Sequence, residues 1–363
     1  MRYLGIDVHS SSIVFHLLDE TGQTLEHGKI ATSEQALSSL VGRLGAQELL
    51  VGQEVGTLSH FVYDVLTALG VKVLSFNAYH LRMIASSRKK TDKRDAYWIA
   101  KALQSGMMPH PVYIPTGEVR ALRALLSQRA ALVDERRRWL LRARSYLVAA
   151  GHSVKRAPRS VKRLIALTVS QPEGLDAKLY QSLLLCQRMD ETLTLERERL
   201  QEEILARAKP IEAITRLKTI PSVGDWVAVM LYAWIGQVER FGSARELASY
   251  VGLVPSVHQS GDSTRHGGIT KLGSPQLRSV LVQAAHVLMF RCRAPEAAPL
   301  QAIAARIHKA RARRKIAVVA AARHILRIAY YILRDGSVYD PTRLSHGTPQ
   351  QATDQEAIAP SAA

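Results

Sequence analysis

The run Arg2-Tyr3-Leu4-Gly5-Ile6-Asp7-Val8 decides the fold of this chain. It is short, apolar and closes on an acid, as a strand that presents a carboxylate near its tip would be. Working outward, residues 11–18 are β-rich, Asp19-Glu20-Thr21-Gly22-Gln23 has turn composition, and residues 24–31 read as a third strand. Residues 33–44 have helical spacing, with Ser33 as N-cap. Leu49 to Gly52 is a fourth short strand with Glu54 just past its end, residues 57–69 read as a helix, and Val71 to Ser75 is a fifth strand. The spacing then predicts a helix from Asp92 to Ser105. Three consecutive strands followed by alternating helices and strands predict an α/β domain with a mixed sheet, over residues 1–110.

Four acids in this region stand against the charge of the whole chain. Its 363 residues carry 49 Lys and Arg against 31 Asp and Glu, a formal net charge of +18. Such an excess favours a polyanionic partner, nucleic acid first. A protein this basic has little reason to gather carboxylates unless a cation joins them. Asp7 ends the first strand, Glu54 follows the fourth, and Asp92 and Asp95 are three apart, on one face of a helix. If the first and fourth strands are neighbours, Asp7 and Glu54 lie side by side and the helix closes over them. Four carboxylates suit two magnesium ions, for which manganese can substitute. In such a pair one ion activates the attacking oxygen and the other stabilises the leaving oxygen of a phosphodiester. A structural reading stands beside this one: Asp92 and Asp95 as a capping box, Asp7 as a partner of Arg94.

Composition bounds the rest. With 47% hydrophobic and 22% charged residues the chain can bury a sizeable core. No apolar run is expected to span a bilayer, and residues 1–4 have no signal-peptide layout. Cys186 and Cys292, far apart in sequence, read as plain thiols of a reducing cytoplasm.

Beyond residue 116 the pattern is helical. Residues 118–151 form one long stretch rich in arginine, including Arg136, Arg137 and Arg138, and residues 175–209 form a second. Together they predict an antiparallel helical hairpin or coiled coil over 116–210, with a loop at 151–162. A third, mostly helical region is expected over 211–336, with helices at 225–235, 243–251, 275–291 and 296–335 and a loop from Gly261 to Gly273. Residues 337–363 are expected to be a disordered tail.

Two motifs in the third region carry chemistry. Ile220-Pro221-Ser222-Val223-Gly224 before an apolar helix resembles the turn of a helix-hairpin-helix module, whose backbone N–H groups meet a phosphate. The segment Ser260-Gly261-Asp262-Ser263-Thr264-Arg265-His266-Gly267-Gly268-Ile269-Thr270-Lys271-Leu272-Gly273 combines hydroxyls, glycines and cations. Arg265 and Lys271 suit phosphate, and a serine there suits a nucleophile. Composition does not choose between Ser260 and Ser263.

These residues carry a family resemblance. The run Lys90-Thr91-Asp92-Lys93-Arg94-Asp95-Ala96, the Ile-Pro-Ser-Val-Gly turn, Phe241 to Pro255 and Ser260 to Gly273 resemble the DEDD transposases of insertion-sequence family one-ten and the Piv/MooV invertases. The resemblance runs from Gly5 to about Asp335. It implies a ribonuclease H-like (RuvC-like) N-terminal domain whose acidic set is Asp7, Glu54, Asp92 and Asp95, with a transposase domain at the C-terminal end. It implies Ser260 as nucleophile, a covalent serine–DNA intermediate, donor and target DNA as substrates, and a guide RNA from the element. It further implies a homo-oligomer, dimer to tetramer, in the bacterial cytoplasm or nucleoid. Lys90, Arg94, Arg136, Arg137, Arg138, Gly224, Arg265, Lys271, Arg313, Arg314 and Lys315 are the residues expected to meet nucleic acid backbone. One departure is visible: the family reads Ala-Thr-Gly after its glutamate, and this chain reads Val55-Gly56-Thr57.

Gly5-Ile6-Asp7 with the turn at 19–22 also resembles the first hairpin of actin-like sugar kinases, whose further glycine-rich phosphate loops the sequence lacks. Two other functions fit the residues alone. One is a junction nuclease using metal-activated water, which needs the four acids but not Ser260. The other is an architectural nucleic-acid-binding protein, which needs neither.

Overall fold

The computed structural model describes residues 1–79, 81, 92–154, 159–169, 175–260, 263–311 and 313–345. For residues 92, 257–260, 263–266, 311 and 344–345 it describes the backbone alone. The chain divides into two compact units, Met1–Pro115 and Thr116–Ala363.

In the first unit β1 (Arg2–Val8), β2 (Ser12–Leu18), β3 (Thr24–Ala31), β4 (Leu49–Glu54) and β5 (Lys72–Phe76) form one sheet in the order β3-β2-β1-β4-β5. β1, β4 and β5 run parallel, and the β1–β2 and β2–β3 pairs are antiparallel. Asp19 shapes the β2–β3 turn by accepting hydrogen bonds from the Thr21 N–H, the Thr21 hydroxyl and the Gln23 N–H at 2.7–2.9 Å. Helices α1 (Glu34–Leu44) and α2 (Ser59–Ala68) cover one face of the sheet. Ser33 caps α1, its hydroxyl accepting the Ala36 N–H at 3.2 Å. Leu4, Ile6 and Val51 bury on this face among Leu37, Leu40, Val62 and Leu66. The opposite face carries α3 (Asp92–Ser105), whose Ile99 and Leu103 pack with Phe76, Tyr3, Leu50 and Leu74. Alternation along the strands therefore sorts β1 cleanly, with Leu4 and Ile6 toward α1 and α2, and Tyr3, Gly5 and Asp7 toward α3.

In the second unit α4 (Gly117–Ala149) and α6 (Ala177–Ala208) form the long hairpin. Glu118 pairs with Arg207, Arg129 with Gln201 and Arg136 with Asp190, so the helices run antiparallel. Sequence reading puts a loop at 151–162. The structure instead has α5 (Val161–Thr168), started by a Ser160 cap and held by the burial of Val161, Leu164 and Ile165 against Ala143, Leu147 and Leu183.

The rest comprises α7 (Glu212–Leu217), α8 (Asp225–Ile235), α9 (Ala244–Val251), strands β6 (Pro255–Ser260) and β7 (Ser263–Ile269), α10 (Pro275–Phe290), α11 (Ala298–Arg311), α12 (Arg314–Asp335) and α13 (Thr342–Ser345). Leu122, Leu126, Ile204 and Ala208, at the base of the hairpin, bury in one cluster with Val229, Leu281 and Ile325.

Four expectations are corrected here. Much of the 261–273 segment is strand: β6 and β7 pair antiparallel from Pro255↔Ile269 to Ser260↔Ser263, so backbone pairing overrides its loop-like composition. The 296–335 run is two helices, because Arg313 leaves helical geometry (φ −124°) and α11 packs on α12 instead of continuing into it. Residues 337–345 do not all belong to a tail. The Tyr339 N–H donates to the Thr219 hydroxyl at 2.8 Å and its hydroxyl to the Glu296 carbonyl at 2.9 Å, which ties the segment to the helical core. The remaining 346–363 lie outside the described residues. Finally, α12 is long and apolar enough to cross a bilayer, with mean hydropathy 1.6 over its best window. Its apolar surface is used internally, with ten residues from Ala317 to Ile332 buried.

Candidate active site

Gly5 and Gly52 create a close seat for α3 on the sheet. They are register partners in the parallel β1–β4 pair, and both face α3. A methyl group added at Gly5 would lie 2.0 Å from the Ala96 carbonyl oxygen and 2.5 Å from the Ala100 nitrogen. One at Gly52 would lie 2.7 Å from Ile99 and 2.8 Å from Leu103. The two glycines thus admit a helix backbone directly onto the sheet.

Asp7 and Glu54 each come two residues after one of these glycines. Asp7 and Glu54 are next in register beyond the Ile6↔Gln53 pair, and the strand pleat returns both to the α3 face. Glu54 is the last residue of β4 and not just beyond it. Asp95 sits one position before Ala96, in the first turns of α3, and is partly buried. Asp92 opens the same helix, one turn earlier.

The direction of α3 follows from its other end. Gln104 donates to the Glu20 carbonyl at 3.0 Å, beside the start of β1, where Tyr3 pairs with Leu18. The N-terminal end of α3 therefore points toward the tips of β1 and β4. Among the described residues no three His, Cys, Asp or Glu side chains form a metal-binding group. The donors that are described, carboxylates at strand and helix ends, are the hard oxygen ligands that magnesium prefers. The Lys90-Thr91 approach to α3 lies outside the described residues.

Three neighbours had no sequence signal of their own. His9 Nε2 lies 3.2 Å from Asp7 Oδ2. Gln53, fully buried on the opposite face, donates to the Ser59 carbonyl at 3.0 Å and the Ser75 hydroxyl at 2.9 Å, which fixes the strand end that carries Glu54. His16 is the register partner of Gly5 and stacks edge-on against Tyr97 of α3, with ring centroids 4.9 Å apart. Burial first, then the nearby His27 and Lys93, push the His16 pKa below the usual histidine value. The signal that was available is the repeated glycine-x-acid spacing, Gly5-Ile6-Asp7 and Gly52-Gln53-Glu54.

Ser260 belongs to the second unit. It is the last residue of β6, paired with Ser263 across the tip of the hairpin. The base of that hairpin is held tightly. Gly252 ends α9 in the left-handed region (φ 75°), and a methyl group there would meet the Leu272 backbone at 2.4 Å. Lys271 is also left-handed (φ 59°), and the Arg278 guanidinium donates to the Val251 carbonyl at 3.0 Å and the Gly273 carbonyl at 3.2 Å.

The expected backbone contacts divide by environment. Arg136 is engaged structurally, donating to the buried Asp190 at 2.7 Å and to the Arg159 carbonyl at 2.6 Å. Arg138 pairs with Glu135 at 3.0 Å, and Arg94, Arg137, Lys271, Arg313 and Lys315 are exposed. Gly224 is the N-cap residue of α8, and Arg314 lies over the Phe290 ring at 4.0 Å. Arg265 is on β7. Lys90 falls outside the described residues.

Comparison with known proteins decides what this arrangement belongs to. A family described as "Transposase", that of the IS110 DEDD enzymes, matches residues 4–151, and the "Transposase IS116/IS110/IS902 family" matches residues 214–301. The chain belongs to the IS110 family of transposases. It is 27% identical over 338 residues to the transposase for insertion sequence element IS1328 of Yersinia enterocolitica, covering 93% of this chain and 98% of that one. It is 28% identical over 297 residues to the transposase for insertion sequence element IS1111A of Coxiella burnetii, covering 80% and 78%. The pilin gene-inverting protein of Moraxella lacunata is 29% identical over 274 residues, covering 74% of each chain. This IS110 transposase is thus an enzyme that cleaves and rejoins DNA. Its first unit is the ribonuclease H-like DEDD domain, and its C-terminal part is the helical transposase domain.

Proposed function

We propose that the transposase exchanges DNA strands through a Ser260–DNA phosphodiester, with Asp7, Glu54, Asp92 and Asp95 as the acidic half of the site. The observation that carries this reading is the paired-glycine seat. It brings Asp7 and Glu54 to adjoining strand tips and aims the start of α3 at them. These carboxylates would hold divalent magnesium, which when bound lowers the charge on a phosphate and favours deprotonated oxygen.

The chain's own residues account for the rest. The Ser260 hydroxyl attacks phosphorus and gives up its proton, the Ser260 oxygen–phosphorus bond forms, and the bond to the departing sugar oxygen breaks. That oxygen leaves as a hydroxyl after taking up one proton. The phosphoester is conserved, and a second sugar hydroxyl reverses the step to rejoin the strands. The β6–β7 hairpin, braced at its base by Gly252, Gly273 and Arg278, carries Ser260 at the far end of β6.

A structured guide RNA from the element would supply the choice of donor and target. The exposed Arg137 on the long hairpin and Arg313 and Lys315 near the α11–α12 break offer charge to its backbone. A dimer or tetramer in the cytoplasm or nucleoid completes the reading, with gene inversion, as the names of the Moraxella relatives describe, as a functional parallel.

The test is trapping. Protein, magnesium, co-purified RNA and supercoiled DNA carrying the element's ends are incubated and denatured. Protein attached covalently to DNA, lost in both Ser260→Ala and Asp92→Ala, is the expected result. Cut DNA without an adduct, persisting in Ser260→Ala, would replace serine recombination with metal-assisted hydrolysis.

A further inference from the structure

The junction of α10, α11 and α12 carries an apolar and aromatic surface that the catalytic reading does not use. Phe290, the last residue of α10, is 49% exposed. Val287 on the same helix is 40% exposed, and Ile316 in the first turn of α12 is 42% exposed. Arg314, the first residue of α12, lays its guanidinium over the Phe290 ring at 4.0 Å. The His286 ring, one helical turn earlier, lies near Phe290, with centroids 5.8 Å apart and planes tilted by 37°. Three flat groups from two helices therefore cluster around Phe290.

The surroundings are strongly cationic. Between Asp262 and Asp335 the only acid in the sequence is Glu296. Arg291, Arg293, Lys309, Arg313 and Lys315 are exposed around the cluster. Further along α12, burial first and then Arg327, Arg323 and Arg306 push the His324 pKa down to about 4. An exposed apolar surface ringed by such charge is unsuited to a cationic partner and complements one whose flat apolar faces are strung on anions. A nucleobase on its phosphate backbone is that chemistry.

We propose that Phe290, backed by Arg314, is a stacking platform for one unpaired base of the DNA substrate, while the exposed Arg291 and Arg293 that follow it hold the adjoining phosphates. A phenyl ring meets the face of a base only after that base has left its duplex neighbours. The platform would therefore favour opened over paired DNA. It depends on DNA being the substrate and not on the serine or metal reading.

The test is done without divalent metal, so cleavage does not intervene. Wild-type full-length protein is titrated against a DNA duplex with a single unpaired 2-aminopurine, the same duplex fully paired, and single-stranded DNA and RNA of the same sequence. The expected result is fluorescence quenching at the unpaired base. Phe290→Leu, which keeps apolar bulk at a half-exposed site, should abolish the quench. It should weaken single-stranded DNA binding about 10-fold and leave paired duplex binding and the unfolding midpoint unchanged. Phe290→Trp should restore both. Unchanged single-strand affinity in Phe290→Leu would overturn the platform, as would an equal loss on paired duplex. Dependence on Phe290 for RNA but not for DNA would also overturn it.

Discussion

Replacing Gly5 by alanine tests whether the acids are assembled by the sheet-to-helix contact described above. The added methyl group would lie 2.0 Å from the Ala96 carbonyl oxygen, whereas ordinary contact begins at 3.4 Å. Both obstructing atoms, Ala96 O and Ala100 N, are backbone, so no rotamer change relieves the clash. Helix α3 must retreat by about 1 Å or more, which loosens Ile99 and Leu103 from Phe76 and Leu50. Overpacking of this kind costs about 1–3 kcal/mol, and backbone obstruction places Gly5→Ala near the upper end. A misplacement of about 1 Å at a catalytic group costs on the order of 100-fold in rate. Gly52→Ala meets only the side chains of Ile99 and Leu103, which can turn aside, so about 1 kcal/mol is expected there. Gly42→Ala, in α1 with nothing within 4 Å, should be neutral or stabilising by about 0.5–1 kcal/mol. The assays are denaturant unfolding of each variant and strand cleavage on the element's ends. Gly5→Ala with wild-type stability and cleavage would refute the seat, and so would equal damage from all three substitutions.

Other outcomes follow from single contacts. Asp190→Ala removes the acceptor of Arg136 and of the buried Val161 N–H and should cost about 3 kcal/mol in thermal or denaturant unfolding. His324, with a folded pKa near 4 against 6.5 unfolded, takes up its proton first in the unfolded chain. Stability should therefore be full above pH 6.5 and fall toward pH 4 by at most about 3 kcal/mol, and unfolding of His324→Gln measured across that window should lack this part of the slope. Gly273→Ala, at φ 64° with the Tyr250 carbonyl 2.2 Å from the new methyl group, should lower strand exchange while leaving DNA binding in place, as read by cleavage and gel shift side by side.

Much of the first unit was legible because its signals are local. Strand alternation, the Asp19 turn and the Ser33 cap each act within a few residues. The adjacency of Asp7 and Glu54 was legible too, once β1 and β4 were taken as neighbours. Elements set by distant partners were not. The backbone pairing that turns Ser263–Ile269 into a strand comes from β6. The helix at 161–168 depends on Asp190, which accepts the Val161 N–H at 2.9 Å from a position in α6. The docking of Tyr339 depends on Thr219 and Glu296. His9 and Gln53 have no motif, because their places beside the acids come from register and burial alone.

The long hairpin has a mechanical consequence. At 33 residues α4 is about 50 Å long, at 1.5 Å per residue. Its base is welded into the C-terminal core by Leu122, Leu126, Ile204 and Ala208, and its tip has a separate apolar knot around Leu147, Leu164 and Leu183. Between them the two helices are bridged by polar pairs, Arg129–Gln201 and Arg136–Asp190. Such an arm is a lever. A tilt of about 5° at the base sweeps the tip through roughly 4 Å over that length. Whatever grips the far end of the hairpin thus gains leverage over the core from which the Ser260 hairpin springs.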